Sequence, residues 1–227
     1  MTYRVLDLFS GIGGFSLGLE RTGGFKTVAF CEIDPFCRKV LAKHWPDVPC
    51  HDDVETREFE EGEADVITGG FPCQPFSTAS RGRRVEISLW PAMLRAILHV
   101  RPKYIIAENV SEVAIKWSEH TLNGYNGYRT IRKRISGIDA GADHQRHRWW
   151  LIAHTNDKSK LSKCINEKMG LLPEICLDLW GRENYARAIR VSNGLPYRMD
   201  RIKALGNTVI PQIPEMIGRA ILEAEAK

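Results

Sequence analysis

The sequence predicts an α/β fold, a doubly wound and mostly parallel sheet with helices on both faces. Two observations carry that expectation. Short apolar, β-rich runs alternate along the chain with segments of helical spacing. The 227 residues, 43% hydrophobic and 26% charged, also suffice to bury one large core. Right-handed crossovers between parallel strands would wind the sheet in both directions.

Taken in order, YRVLDLF (3–9) reads as the first strand and breaks at Ser10-Gly11-Ile12-Gly13-Gly14. FSLGLERT has helical spacing and stops at Gly23-Gly24. FKTVAFCEID (25–34) is the second strand, and PFCRKVLAKHW a helix with Pro35 in its first turn. ADVITGG (64–70) is the third strand, SLWPAMLRAILHVR (88–101) an amphipathic helix, and PKYIIAENV (102–110) a buried strand. RHRWWLIAHT (146–155) is a further strand. Residues 156–190 are polar and weakly periodic, and read as a loop or small appendage. The tail closes with an amphipathic helix after Pro214, expected to pack on the main sheet.

Bulk properties narrow the functional classes only slightly. A net charge of +4, from 32 Lys+Arg against 28 Asp+Glu, permits nucleic-acid binding without requiring it. No apolar run is long enough for a membrane span, and MTYRVLDLFSG lacks the shape of a signal peptide. A cytoplasmic protein, of a bacterial host or a phage-infected cell, is therefore expected, and a monomer is expected separately. The six cysteines (Cys31, Cys37, Cys50, Cys73, Cys164 and Cys176) show no zinc-like pairing, so reduced thiols and no metal are expected.

In such a sheet, ligands bind beyond the carboxyl ends of the strands. There the first strand offers Asp7 and the glycine turn, the second Glu32 and Asp34, the third Phe71-Pro72-Cys73, and the fourth Glu108-Asn109. The glycine turn alone is a weak signal, because Ser16 stands where a dinucleotide fingerprint has its third glycine. Glu32, about 20 residues on, strengthens it, since an acid there suits a ribose diol. The pair points to a nucleoside cofactor without a pyrophosphate.

A lone cysteine is most often a small buried hydrophobe. Cys73, however, lies between Pro72 and Pro75, which restrict the backbone on both sides and fix the direction of the thiol. Covalent attack needs such an aim. Arg146 and Arg148 alternate on a strand and so share a face. Glu108 as a simple strand-end carboxylate, and the arginines as salt-bridge partners, are the plainer readings.

Together these segments resemble the C5-cytosine DNA methyltransferases. DLFSGIGGFSLGLE (7–20) is similar to the family's S-adenosylmethionine motif, CEID (31–34) to its ribose motif, and DDV (52–54) to the segment holding the adenine amino group. GGFPCQPFS (69–77) resembles the nucleophile motif, ENV (108–110) the catalytic glutamate motif, HQRHR (144–148) the arginine motif, and ALGNTVIPQ (204–212) the C-terminal motif. They follow the family's order across residues 4–215.

The resemblance implies a Rossmann-like class I methyltransferase that moves a methyl group from S-adenosylmethionine to C5 of cytosine in DNA. Cys73 would attack C6 of a flipped cytosine, with Glu108 at N3, Arg148 at O2 and Arg146 in support. Asp7, Phe9, Ser10, Gly11, Gly13, Gly14, Glu32, Ile33, Asp53, Val54, Pro72, Asn207, Thr208 and Val209 would contact the cofactor. Gln74, Ser77, Arg81, Arg83, Arg84 and Asn109 would contact the DNA.

Three departures qualify the match. His144 and Gln145 replace the usual Gln-x opening of the arginine motif, and Ile33 stands where an aromatic often stacks on adenine. Most notably, only about fifty residues separate Thr155 from Ala204, where the family usually carries a hundred or more for target recognition. The implied organisation is a catalytic domain over 1–155, a reduced recognition region forming a vestigial second lobe over 156–190, and a returning segment over 191–227. The compact spacing is similar to phage or prophage members, and the family resemblance also implies a place in restriction-modification. A partner supplying target recognition, an inactive cofactor-binding remnant and an RNA substrate are the alternatives.

Overall fold

The computed structural model describes residues 2–77, 84–124, 127–141, 145–155, 159–170 and 198–226. Seven strands form one sheet in the order β3-β2-β1-β4-β7-β9-β8. Their ranges are β1 Tyr3–Leu8, β2 Phe25–Cys31, β3 Cys50–His51, β4 Val66–Gly70, β7 Tyr104–Asn109, β8 Arg129–Ile135 and β9 Arg148–His154. A separate antiparallel pair joins β5 Cys73–Ser77 to β6 Arg84–Ser88. The described helices are α1 Gly14–Glu20, α2 Pro35–His44, α3 Trp90–Val100, α4 Glu112–Gly124, α5 Ser159–Gly170, α6 Arg198–Asn207 and α7 Gln212–Glu225.

Period-two alternation in the strands sorts the core into two layers. Val5, Ile106 and Ile152 point to one face and pack with Phe15, Leu19, Leu161, Ile217 and Ile221 under α1, α5 and α7. Leu6, Ile105 and Leu151 point to the other, with Trp90, Met93, Ile97 and Leu122 under α3 and α4. Helices thus cover both faces, as the alternation of the sequence requires. Strands β3, β2, β1, β4 and β7 are parallel, while β9 runs antiparallel to both β7 and β8.

The structure adds elements that the pattern did not reveal. β8, RTIRKRI, carries four basic residues and pairs on one side only among the described strands, so it needs no apolar run. α4 buries only Ala114, Ile115, Ser118 and Leu122. GGFPCQPFS is not only a turn, since Cys73 enters a strand opposite Ser88. α5 forms within the stretch expected to be a loop or appendage, because Leu161, Cys164 and Ile165 recur at helical spacing and are buried in the core.

α1 and α7 meet through Gly18, where an added Cβ would overlap the carbonyl oxygen of Pro211. That neighbour is backbone, so relief requires the helices to part. Gly18→Ala is expected to destabilise the fold by roughly 1–3 kcal/mol, read as a lower midpoint in urea unfolding. An unchanged midpoint would contradict the tight contact.

Candidate active site

The carboxyl ends of β1, β2, β4 and β7 open into one cleft of about 500 Å³. At one end lies the turn after β1. Phe9 and Gly11 have positive φ of 52° and 55°, a region that costs a non-glycine residue energy and that glycine adopts freely. A Cβ on Gly11 would meet nothing within 4 Å. This backbone therefore faces open space in the cleft.

Glu32, at the end of β2, is buried and fixed from two sides. Its Oε2 accepts from Gly11 N–H at 2.6 Å and its Oε1 from Asp34 N–H at 2.8 Å. Each oxygen keeps a lone pair for a ligand hydroxyl. Ile33 is apolar, 72% exposed and lines the same cleft. Asp53 and Val54 line it as well. An open glycine backbone, an oriented carboxylate and an uncovered apolar side chain fit an adenosyl group.

Several residues expected at the cofactor stand behind this wall instead. Asp7 is 0% exposed; it accepts from Ser16 Oγ at 2.7 Å and Thr68 Oγ1 at 2.8 Å. Its side chain braces the start of α1 against β4 and does not reach the cleft. Ser10 Oγ donates to the carbonyl of Asp7 at 2.6 Å. A Cβ on Gly13 would strike the Trp45 indole, and one on Gly14 would strike Thr208 Oγ1 and the Val209 carbonyl. The glycines here permit close packing, and Thr208 and Val209 press on the turn from outside.

Burial pushes the Asp7 carboxyl up to about 7, against the lowering effect of its hydroxyl partners. A folded-state pKa raised above the unfolded one means the native state holds the proton longer. Stability is then full at low pH and is lost as pH rises through about 7. Asp7→Asn keeps a hydrogen-bonding side chain without the charge. Its stability is expected to lack this decline, a difference of roughly 2–4 kcal/mol between pH 4 and 8. Parallel denaturant curves for both proteins check it; identical pH slopes would sink the assignment.

At the other end, Glu108 closes β7 and is 8% exposed. Arg148 Nε stands 2.8 Å from its Oε1, yet this oxygen has no well-aligned hydrogen bond, so the contact is electrostatic. Burial pushes the carboxyl up to about 7, while Arg148 and then Arg146 pull it down. Both arginines line the cleft, but β9 begins only at Arg148, so Arg146 reaches it from the segment before the strand and not through strand alternation. Asn109 does structural work beside them: its Nδ2 donates to the Phe71 carbonyl at 2.8 Å and its Oδ1 accepts from Ser111 N–H at 2.8 Å. That fastens the Phe71-Pro72 turn to the end of β7.

Pro72 lines the cleft and the chain passes directly into β5 at Cys73. The side chains of Cys73, Gln74, Ser77 and Arg84, and all of Arg81, Arg83 and His144, lie outside the described residues. Asn207 lines the cleft from α6, as expected.

Sequence reasoning missed Lys203 and the role of Asp34. Lys203 Nζ meets Asp34 Oδ2 at 3.0 Å, joining α6 to the start of α2 across 169 positions. Asp34 also caps α2 by accepting from Phe36 N–H at 2.9 Å. An Asp before Pro35 signals the cap; nothing local signals its cation. Among the described residues, no group of His, Cys, Asp or Glu is arranged to hold a metal, and no helix is long and apolar enough to cross a membrane.

A family model for C-5 cytosine-specific DNA methylases matches residues 3–180. The Type II methyltransferase M.PspPI of Psychrobacter sp. (strain TA137) is 39% identical over 146 residues, covering 59% of this chain and 35% of the relative. The Type II methyltransferase M.HhaI of Haemophilus parahaemolyticus is 31% identical over 163 residues, covering 68% and 50%. The chain thus spans half or less of the length of these curated relatives. Among solved structures, a mutant of Spodoptera frugiperda DNMT2 shares the fold with a TM-score of 0.58 at 18% identity, covering 70% of this chain and 51% of that one. A DNA modification methyltransferase encoded within an E. coli prophage gives 0.54 at 28% identity, covering 68% and 47%.

Proposed function

Because the chain belongs to the C-5 cytosine-specific DNA methylase family, we propose that its cleft methylates C5 of cytosine in DNA through a covalent adduct of Cys73. The observation that carries this reading is the pairing of two unlike ends in one cavity. An adenosyl-compatible wall of Gly11, Glu32, Ile33 and Asp53 faces a buried acid, Glu108, flanked by Arg146 and Arg148.

S-adenosylmethionine would supply an electrophilic methyl group at this wall, held by Glu32 at the ribose and Asp53 at the adenine. Cytosine C5 is too poor a nucleophile to take that methyl unaided. The Cys73 thiolate adds to C6, and the electrons of the C5–C6 bond become available at C5. Negative charge grows on N3 and O2 as the sulfur adds. Glu108, protonated, gives N3 a proton or a hydrogen bond, and Arg148 stabilises O2. After methylation, loss of the C5 proton expels the thiolate. A target within a duplex must first leave the stack, since stacking covers its C6 face.

The span between Thr155 and Ala204 supports a reduced recognition region, and α5 packs Leu161, Cys164 and Ile165 of it into the core. Target reading then falls to the remaining residues with the arginines near β6, or to a partner. The family's cytosine chemistry favours activity over a cofactor-binding remnant.

Incubation with methyl-labelled S-adenosylmethionine and cytosine-containing duplex tests the proposal. Label is expected in 5-methylcytosine after hydrolysis of the DNA. Label in RNA alone would redirect the substrate, and none in any nucleic acid would end the enzyme reading. On the cofactor side, Glu32→Ala removes the oriented carboxylate, so affinity for S-adenosylhomocysteine is expected to fall on the order of tenfold. Calorimetry checks this, and unchanged affinity would count against the ribose assignment.

A further inference from the structure

The wall that carries Asp53 is a short turn with no sheet or helix of its own, yet it must present side chains at fixed positions. Within the turn, Asp53 Oδ1 accepts from Glu55 N–H at 2.8 Å and the Asp53 carbonyl from Arg57 N–H at 3.1 Å. These bonds shape the turn but do not anchor it to the body of the protein. Its carbonyls converge on a single point outside. Arg95 Nη2 stands 2.6 Å from the Val54 carbonyl, 3.1 Å from that of Glu55 and 3.0 Å from that of Arg57.

Three carbonyl oxygens directed at one place repel one another unless a cation sits among them. The Arg95 guanidinium supplies it from α3, about forty residues away in sequence. Its plane is steadied by the Phe59 ring, whose centre lies 5.0 Å from the Arg95 guanidinium and 4.6 Å from that of Arg57. Arg57 is in turn held by Glu63 through two bonds of 3.0 and 2.9 Å. α3 is seated by Met93, Ala96 and Ile97, all buried. The chain enters the turn from β3, which pairs with β2, and Val54 is buried in the core; Arg95 adds the link that references its carbonyls to a rigid helix.

We propose that Arg95 is a positioning residue for recognition of the base of the methyl donor. It fixes the Asp53–Val54 wall at the distance where an adenine amino group is read. This rests on the adenosyl reading of the cleft. Arg95 does not line the cleft, so its effect appears as lost discrimination at the base and not as lost binding in general.

The test measures calorimetric affinities for S-adenosylhomocysteine and for S-inosylhomocysteine, which has an oxygen in place of the amino group. The wild-type protein is expected to prefer the adenosyl ligand. Arg95→Met, which keeps an apolar stem beside Phe59, is expected to weaken the adenosyl ligand about tenfold and the inosyl ligand less than about threefold. Arg95→Lys returns a cation to the carbonyls and is expected to restore much of the preference. If the methionine variant does not fold, Arg95→Gln is measured in its place against the same expectation. Equal losses for both ligands, or retained preference, would overturn the role of Arg95. A wild-type protein that binds neither ligand would instead overturn the adenosyl reading itself, and this inference with it.

Discussion

Replacing Glu108 by glutamine is expected to lower kcat by about 10²–10⁴ and to change the shape of the pH profile. Glu108 is a buried acid whose carboxyl is pushed up to about 7, with Arg148 Nε 2.8 Å from one oxygen. Because the pKa is raised, the protonated form dominates below about pH 7 and is lost as pH rises through it. In the proposed mechanism that proton goes to cytosine N3 as the thiolate adds. Glutamine can still donate a hydrogen bond there but cannot transfer a proton. The wild-type kcat/KM should therefore carry a falling limb near pH 7 that reports the free enzyme's acid. In Glu108→Gln that limb should vanish, leaving only the rise set by the nucleophile. Profiles of both proteins between about pH 5.5 and 9 decide the matter. A falling limb that survives in the variant would assign the acid elsewhere.

The profile also separates catalysis from stability. Asp7 titrates in the same range and for the same first reason, burial. Its carboxyl, however, serves Ser16 and Thr68 behind the cleft wall. A loss of activity at high pH caused by unfolding would track Asp7 and be relieved by Asp7→Asn. One caused by Glu108 would not. The two substitutions therefore act as controls for each other.

How much of this was legible in the sequence depends on the distance over which each interaction is written. The parallel strands β1, β2, β4 and β7 are largely apolar runs with glycine or polar residues at or just beyond their carboxyl ends, so their existence and the chemistry there could be read directly. Glu32 and Glu108 line the cleft, as residues at strand ends are expected to, because strand ends are local features. Asp7 does not, since a strand-end acid looks the same whether it faces a ligand or two hydroxyls; Thr68, 61 positions away, decides which. β8 was hidden because an edge strand can be basic, and the direction of β9 because antiparallel pairing leaves no mark on a short apolar run. The Lys203–Asp34 pair and the Arg95 anchor join residues 169 and about forty positions apart. No periodicity encodes contacts of that kind.

Cys73→Ser is expected to reduce methyl transfer on the order of 10³-fold or more. The backbone on either side of this residue is held more firmly than its prolines alone imply. Asn109 fastens the Phe71 carbonyl at 2.8 Å, Leu89 N–H donates to the Pro72 carbonyl at 3.3 Å, and Cys73 itself pairs with Ser88. A group so fixed suits attack on a ring that must be met from one face. A serine in the same place keeps the aim but loses the nucleophile, because its hydroxyl is scarcely ionised at neutral pH. The sharper readout uses a duplex bearing 5-fluorocytosine. Fluorine at C5 cannot depart as the proton does, so after methylation the bond between sulfur and C6 persists. The wild-type protein is expected to form a complex with this duplex that survives denaturing electrophoresis, in the presence of S-adenosylmethionine only. Cys73→Ser should form none while still binding S-adenosylhomocysteine with wild-type affinity. Failure of the wild type to be trapped, when it nonetheless labels cytosine, would reject the covalent route. Trapping of the serine variant would move the nucleophile to another residue.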